Sequence, residues 1–232
     1  MITDNVLKIK ACMEEACRKA GRDPSTVTLV GVTKFAPLEA IEEAIKAGIT
    51  DIAENRVQEA VTKFPVLAQK FGHLRCHLIG HLQTNKVKNA IAVCGMVQSV
   101  DSLKLAQEIQ KQAVKADKTV DILVQFNTAR EEQKSGASPE EALTLTEAIT
   151  GLGNVRIRGV MCMAPYTDDQ GIIRKTFSDL RGIRDRLKQY FGGHAHVAMD
   201  ILSMGMSGDY AIAIEEGSTM VRVGSAIFNE KN

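Results

Sequence analysis

The feature of this sequence that most limits its fold is the repeated alternation of two apolar patterns. Short runs rich in β-branched and other apolar residues, such as VTLVGVTK at 27–34, alternate with longer stretches in which apolar residues recur at helical spacing. The first pattern predicts buried strands and the second predicts amphipathic helices. Strands that alternate with helices form a parallel sheet, and eight such units suit a closed barrel.

The predicted elements divide the chain into strand–helix units. The predicted strands are 27–34, 51–54, 75–80, 96–100, 120–127, 156–163, 200–204 and 219–224. The predicted helices are 5–20, 38–47, 56–70, 85–93, 103–116, 139–150, 172–190 and 209–214, and Pro65 should kink or split the third of them. We therefore predict one α/β domain over residues 1–232, a (β/α)8 TIM barrel with an extra N-terminal helix. An open, doubly wound sheet is the alternative that the pattern leaves open.

Charge and cysteine content exclude several kinds of partner. Lys and Arg number 29 and Asp and Glu number 28, so a net charge of +1 gives no reason to expect nucleic acid or an anionic membrane as a partner. No apolar stretch approaches the ~20 residues that span a bilayer, and the N-terminus has no signal-peptide pattern. The five cysteines are scattered without CxxC spacing, so we expect neither a disulfide framework nor a metal site. We expect a cytoplasmic protein, and a monomer.

Lys34 is the most informative residue at the predicted mouth, the end of the barrel where the strands have their carboxyl ends. Functional groups of this fold lie at that end, and Lys34 ends the first predicted strand. Alternation puts it on the same face as Val30 and Val32, which predicts an amine at the rim. Partial desolvation there would favour the neutral amine, the form that attacks an aldehyde. The alternative is a rim lysine paired with Glu54 or Asp101.

Two segments that contain glycine and serine follow the seventh and eighth strands. Residues 203–210 read SMGMSGDY, and Gly224 and Ser225 follow the last strand. Glycine lets the backbone approach an anion closely, and N–H groups and serine hydroxyls supply the donors. Phosphate sites in this fold commonly use these two loops. The sequence therefore indicates a phosphate site, with two ordinary turns as the alternative.

Arg222 lies within the apolar run VRVGSAIF of the last strand. A guanidinium there keeps its charge and must find acceptors. A buried Asp or Glu would be a structural partner, whereas a ring nitrogen or a phosphate would be a functional one.

His77 and His81 straddle a strand and its turn, so we expect a hydrogen-bonded strand histidine and a mouth residue rather than metal ligands. Lys134, in a polar loop, is either solvated or a second amine that could exchange with a bound aldehyde.

Taken together, these motifs resemble those of the pyridoxal 5′-phosphate (PLP) homeostasis protein family, single-domain relatives of the alanine racemase barrel. The resemblance covers nearly the whole chain and depends on the order and spacing of the motifs. The matching segments are TK at 33–34, ENRVQE at 54–59, HLIGHLQTNK at 77–86, KSG at 134–136, GVMCMAP at 159–165, LSMGMSGDY at 202–210 and residues 217–228. The cofactor-binding residues that the resemblance implies are Lys34 as the Schiff-base lysine, Ser207, Gly224 and Ser225 at the phosphate, Arg222 at the pyridine nitrogen, and Asn55 and Met204 along the cofactor.

The resemblance implies a protein of intracellular PLP homeostasis that holds PLP without efficient catalysis. An arginine facing the ring nitrogen disfavours its protonation and so weakens the ring as an electron sink. A racemase also needs a second acid–base group, which in the full racemases comes from a second domain, and this chain ends at Asn232. We therefore expect no catalytic residues, and PLP and PLP-dependent apo-enzymes as partners. The alternatives are a PLP-dependent amino-acid racemase or related PLP enzyme, and a cofactor-free lyase that binds a phosphorylated sugar through Lys34.

Overall fold

Eight parallel strands close into one barrel in the computed structural model, which describes residues 1–131 and 135–229. The strands are β1 (Thr28–Val32), β2 (Asp51–Glu54), β3 (Arg75–Leu78), β4 (Met96–Val100), β5 (Val120–Gln125), β6 (Val155–Met161), β7 (Val197–Ser203) and β8 (Met220–Val223). Each pairs with its neighbours in sequence, and β8 pairs with β1 to close the ring. The predicted (β/α)8 barrel is confirmed, in place of an open sheet.

Helices cover the outside of the barrel. They are α1 (Ile2–Lys19), α2 (Leu38–Lys46), α3 (Val57–Lys70), α4 (Val87–Val93), α5 (Leu103–Lys115), α6 (Ala142–Thr150), α7 (Gln170–Tyr190), α8 (Tyr210–Glu215) and α9 (Ser225–Phe228). Helix α9 is absent from the prediction because four residues are too few to show a helical period. In the described ranges, no helix combines the length and apolar character needed to cross a membrane.

Helix α3 continues through Pro65, so of the two predicted outcomes, a kink or a split, the split is wrong. Proline removes one backbone donor, which leaves the Val61 carbonyl without its helical partner. Both Pro65 and Val61 are exposed, so water can satisfy that carbonyl. The opposite face, with Phe64 and Leu67, is buried in the core and keeps the helix on the barrel.

Apolar side chains fill the two sides of the barrel wall differently. Between the wall and the helices lies one large core that includes Phe64, Phe126 and Phe177, each at most 1% exposed. Burial of one such ring contributes about 1.5–3 kcal/mol. Inside the barrel there are two small apolar clusters, Val30, Ala53 and Met220 in one and Met96, Leu123 and Met161 in the other. Buried polar side chains share this interior space, and they connect to the site at the mouth.

Helix α1 completes the outer ring of helices. It packs against α2, α8 and α9, and its buried face includes Val6, Ile9 and Met13. The Asn5 side-chain amide donates a hydrogen bond to the Ile227 carbonyl at 3.0 Å, which ties α1 to α9. Because α8 and α9 have only six and four residues, α1 supplies the apolar surface that a full-length eighth helix would give.

Candidate functional site

Lys34 lies in an exposed turn directly after β1. The turn is closed by a hydrogen bond from the Ala36 N–H to the Thr33 carbonyl, at 3.1 Å. Phe35 has a φ of 63°, in the left-handed region that residues other than glycine rarely adopt. The Lys34 side chain is exposed, and within residues 1–131 and 135–229 it has no carboxylate partner. Its amine is therefore accessible to a ligand at the mouth.

A buried ion pair holds this turn from behind. The Lys63 ammonium donates to Glu54 Oε1 at 2.9 Å and to the Thr33 carbonyl at 3.1 Å. The Thr33 hydroxyl donates to the same Glu54 oxygen at 2.7 Å. Burial by itself would lower the pKa of Lys63, but its hydrogen bonds to Glu54 and Glu59 outweigh burial and raise the pKa. We call Thr33, Glu54 and Lys63 the turn clamp.

Neither of the two carboxylates that could pair with Lys34 forms an ion pair with it. Glu54 belongs to the turn clamp, and Asp101 lies 3.7 Å from Nδ1 of His81. His81 is exposed in the loop after β3, at the mouth as predicted. A structural ion pair therefore does not account for the position of Lys34 in the part of the chain that the structure describes.

The loops after β7 and β8 meet around the hydroxyl of Ser207. The backbone N–H groups of Gly224 and Ala226 each donate to Ser207 Oγ at 3.3 Å, and Ser225 lies exposed between them. Two backbone donors thus point at one oxygen atom, and convergent backbone N–H groups are a feature of anion-binding loops. We call Ser207, Gly224, Ser225 and Ala226 the anion cradle.

Gly224 brings the anion cradle against the strand that leads to Lys34. In the register of β1 and β8, Val30 lies opposite Arg222, which puts Val32 opposite Gly224. A Cβ atom at Gly224 would lie 3.2 Å from both the Cβ and the carbonyl oxygen of Val32. Lys34 follows Val32 by two residues, so its turn and the cradle stand side by side.

Arg222 lies inside the barrel and is 3% exposed. Its guanidinium donates to Ser203 Oγ at 2.6 Å and to the Cys162 carbonyl at 2.8 Å. Because β7 ends at Ser203 and β6 ends one residue before Cys162, the guanidinium lies at the level of the strand ends. Burial lowers the pKa of Arg222, yet a guanidinium keeps its proton in proteins. Neither acceptor is a carboxylate, unlike the structural partner that the sequence left open.

Asn55 and Met204, the remaining predicted ligands, are placed differently from each other. Asn55 is exposed in the loop after β2, which packs closely on the next loop, since a Cβ at Gly80 would lie 2.1 Å from the Asn55 carbonyl oxygen. Met204 is 0% exposed and belongs to the large core outside the barrel wall. Because Ser203 faces the interior, alternation directs Met204 outward. Asn55 is thus exposed beside the mouth, whereas the Met204 side chain is buried in the outer core.

The sequence analysis missed Lys63 and Gln98, which support the site, and it included Ser203 in the phosphate segment, whereas the structure places Ser203 against Arg222. Gln98 and Ser203 are buried polar residues in otherwise apolar strands, and such residues need partners, which is a signal that could have found them. Lys63 lies on the same helical stripe as Ala60 and Leu67, which is the buried face of α3. Lys134, the second predicted amine, lies outside the described residues.

Comparison with known proteins gives one family and close relatives. The family model described as alanine racemase, N-terminal domain, matches residues 9–231. The chain is 40% identical to the pyridoxal phosphate homeostasis protein of Aquifex aeolicus, over 94% of this chain and 93% of that one. A solved structure of an unknown protein from Bifidobacterium adolescentis superposes with a TM-score of 0.94 at 38% identity, over 98% of this chain and 94% of that chain. PipY of Synechococcus elongatus, solved with PLP bound, superposes with a TM-score of 0.85 at 30% identity, over 99% of this chain and 100% of that chain.

Proposed function

This chain belongs to the pyridoxal phosphate homeostasis protein family, built on the alanine racemase N-terminal barrel, and from that premise we propose that it holds PLP at its mouth for intracellular PLP homeostasis. The observation that carries the proposal is the meeting of three groups at the carboxyl ends of the neighbouring strands β1, β8 and β7. They are the exposed Lys34 amine, the anion cradle and the buried Arg222 guanidinium. The relative solved with PLP bound supports the same cofactor.

The groups at the mouth fit PLP in their chemistry. When bound, PLP supplies an aldehyde that condenses with a lysine amine, a phosphate, and a pyridine ring that withdraws electrons once its nitrogen is protonated. We assign Lys34 to the aldehyde and Arg222 to the ring nitrogen. The anion cradle would hold the phosphate with neutral donors, where hydrogen bonds to an ionised acceptor are strong. The absence of a side chain at Gly224 lets the cradle pack against β1, because a Cβ there would lie 3.2 Å from the Cβ and the carbonyl oxygen of Val32.

The exposure of Lys34 supports a carrier rather than a tightly closed enzyme site. An amine on an exposed turn can be approached by the amine of another protein, and exchange between the two would pass the cofactor on. PLP-dependent apo-enzymes are therefore the recipients that we expect. In this proposal the protein works in the cytoplasm as a monomer, and its mouth needs no residue from a second copy.

Arg222 supports a role without efficient turnover. Its guanidinium can donate a hydrogen bond to a ring nitrogen but cannot accept a proton from it. A permanent cation at that position also disfavours a second positive charge on the ring. The residue that would fix the ring therefore works against the protonation that PLP catalysis needs. We propose that no residue of this mouth acts as a catalytic acid or base.

The proposal is tested by locating the lysine that captures PLP. The protein is incubated with PLP, reduced with borohydride and mapped by peptide mass spectrometry. We expect one pyridoxyl group, on Lys34, and none in the Lys34→Ala variant, with unchanged circular dichroism. Lys8→Ala is the matched control, because Lys8 is also exposed but lies on α1. That variant should label as the wild type does.

Two outcomes would contradict the proposal. Labelling of Lys134 alone, or equal labelling of many exposed lysines, would reject Lys34 as the binding residue. Incubation of the PLP-loaded protein with a panel of amino acids should give no racemisation above that of PLP alone, as followed by chiral chromatography. Efficient racemisation would instead support the alternative of a PLP enzyme.

A further inference from the structure

A line of buried hydrogen bonds crosses the barrel interior from β2 to β8. Its members are each at most 3% exposed, and we call them the interior relay: Asp51, His77, Gln98, Ser203 and Arg222. Consecutive members are joined by contacts of 3.0, 3.2, 2.7 and 2.6 Å. Asp51 begins β2, at the floor of the barrel, whereas the Arg222 guanidinium lies at the level of the strand ends. The relay therefore joins the floor to the mouth.

Asp51 is the anionic end of the relay. Arg75 donates to its two carboxylate oxygens at 2.8 and 2.7 Å, and Thr50 donates to it at 2.7 Å. Burial by itself would raise the pKa of Asp51, but hydrogen bonds from His77, Arg75 and Thr50 outweigh burial and lower the pKa to about 2. An ionised carboxylate only accepts hydrogen bonds. The ring nitrogen of His77 that faces Asp51 must therefore be the donor.

From Asp51 the chemistry of each group fixes the direction of the next bond. His77 donates through Nε2, and its Nδ1 accepts because the Gln98 amide nitrogen that faces it can only donate. The Gln98 carbonyl oxygen then faces Ser203, whose hydroxyl donates to it. With its proton committed there, Ser203 Oγ accepts from Arg222. Each group thus donates to the next one farther from the mouth, from the Arg222 cation at the mouth to the Asp51 anion at the floor.

This arrangement fixes the Arg222 guanidinium without a carboxylate in contact. A carboxylate would engage the guanidinium in two parallel bonds and compete with a ligand for its donors. Ser203 and Cys162 each accept one bond, and a guanidinium has further N–H groups to offer. The side chain is held in orientation, and part of its donor capacity remains for a ligand.

We propose that Gln98 and Ser203 are positioning residues, which aim Arg222 at the ring of the bound cofactor and couple the mouth to His77 inside the barrel. The inference rests on the proposed function, because the ring nitrogen is the acceptor that Arg222 would meet. A loss of interior packing would weaken cofactor binding whether or not Arg222 is present, whereas a loss of positioning would not. Changes at Gln98 act on the cofactor only through Arg222.

The test is a double-mutant cycle on PLP affinity, measured from the absorbance of the loaded protein. We expect Gln98→Leu to weaken PLP binding about tenfold, because the Arg222 guanidinium would no longer be held in the right orientation to donate. In the Arg222→Gln background the same change should cost less than about threefold, since coupled residues are not additive. Gln125→Leu is the matched control: Gln125 is 2% exposed in the neighbouring strand and donates to the Ser135 carbonyl, outside the relay. Its effect should be equal in both backgrounds.

Nitrogen-15 NMR of histidine rings gives a second readout that needs no variant. Before PLP is added, the buried His77 should show a slowly exchanging proton on Nε2 and an acceptor Nδ1. On loading with PLP its Nδ1 signal should shift, although three hydrogen bonds separate His77 from Arg222.

The outcomes separate this inference from the proposed function. The opposite tautomer in the ligand-free protein would overturn the direction of the relay. Equal losses from Gln98→Leu in both backgrounds, or an unmoved His77 signal in protein that has bound PLP, would overturn the coupling. Absence of any PLP-dependent absorbance in the wild type would instead reject the proposed function, and with it the coupling.

Discussion

Lys34 and Arg222 are basic residues of one barrel mouth, the first just after β1 and the second in the adjoining strand β8, yet the chain holds them in opposite ways. Lys34 stands on an exposed turn after β1, whereas Arg222 is 3% exposed within β8. Behind the Lys34 turn there is a buried ion pair, while Arg222 contacts a hydroxyl and a backbone carbonyl. An amine that has to react needs access, and a guanidinium that only donates needs a fixed direction.

The two sides of the mouth differ in which group is a buried charge, and therefore in which substitution would cost the most free energy of unfolding. On the Lys34 side the buried charges are in the support, since Glu54 is 0% exposed and its Oε2 atom has no hydrogen-bond partner among the described residues. Removal of one member of a buried pair leaves an uncompensated charge. On the Arg222 side the charge is the functional group itself and its contacts are neutral. Variants of the two supports should therefore differ in what they damage.

The largest effect is expected from Lys63→Met, which removes the cation of the turn clamp. Glu54 would stay buried beside Thr33 without its ammonium partner, so we expect a loss of about 3–5 kcal/mol in the free energy of unfolding. Urea denaturation followed by circular dichroism measures it.

Lys70→Met is the matched control for this loss. Lys70 lies on the same helix and pairs with Glu42, but its side chain is 51% exposed. Exposed pairs contribute about 0–1 kcal/mol. Similar losses for the two variants would show that the Glu54–Lys63 pair behaves as a surface pair and that the turn is not held by buried charge.

An intermediate effect is expected at the anion cradle, on the Arg222 side of the comparison. Ser207→Ala and Ser225→Ala should each weaken PLP binding by about 1.5–3 kcal/mol, the contribution of a hydrogen bond to a charged group. Pyridoxal, which has no phosphate, should bind almost as it does to the wild type. Calorimetry with both ligands measures the difference. Equal losses for PLP and pyridoxal would mean that these serines shape the pocket and do not contact phosphate.

Much of the fold could be predicted because strand and helix periods alternate along the whole chain. The positions of Lys34, Ser207, Gly224 and Ser225 at one end follow from the rule that parallel strands share their carboxyl ends. Met204 shows the limit of that rule. A residue at a strand end faces either the barrel interior or the helices. Which of the two it faces is known only when another residue of the strand is known to point inward, and in β7 that residue is Ser203.

The interior relay could not be predicted, although its residues carry a signal. A buried glutamine in β4 must have partners, but the sequence does not show which strand supplies them across a closed barrel. Gln98 contacts His77 from the neighbouring strand and Ser203 from β7. Ser203 is 105 residues away in sequence, and the two approach because the barrel closes. The turn clamp is similar, since Lys63 and Thr33 meet only when α3 packs behind β1 and β2.

The smallest effect is expected at Phe35, whose left-handed backbone carries the Lys34 turn. Glycine adopts φ of 63° without the steric penalty of about 1–2 kcal/mol that a side chain incurs, but it has a more disordered unfolded state. Phe35→Gly should therefore raise the free energy of unfolding by less than about 1 kcal/mol.

Asp117→Gly is the control, because Asp117 has φ of 49° after α5, away from the mouth. Both variants should be slightly stabilised, but only Phe35→Gly should weaken PLP binding, by about threefold, since a looser turn presents Lys34 less well. Unchanged PLP affinity in Phe35→Gly would show that the turn clamp alone, and not the turn backbone, sets the position of the amine.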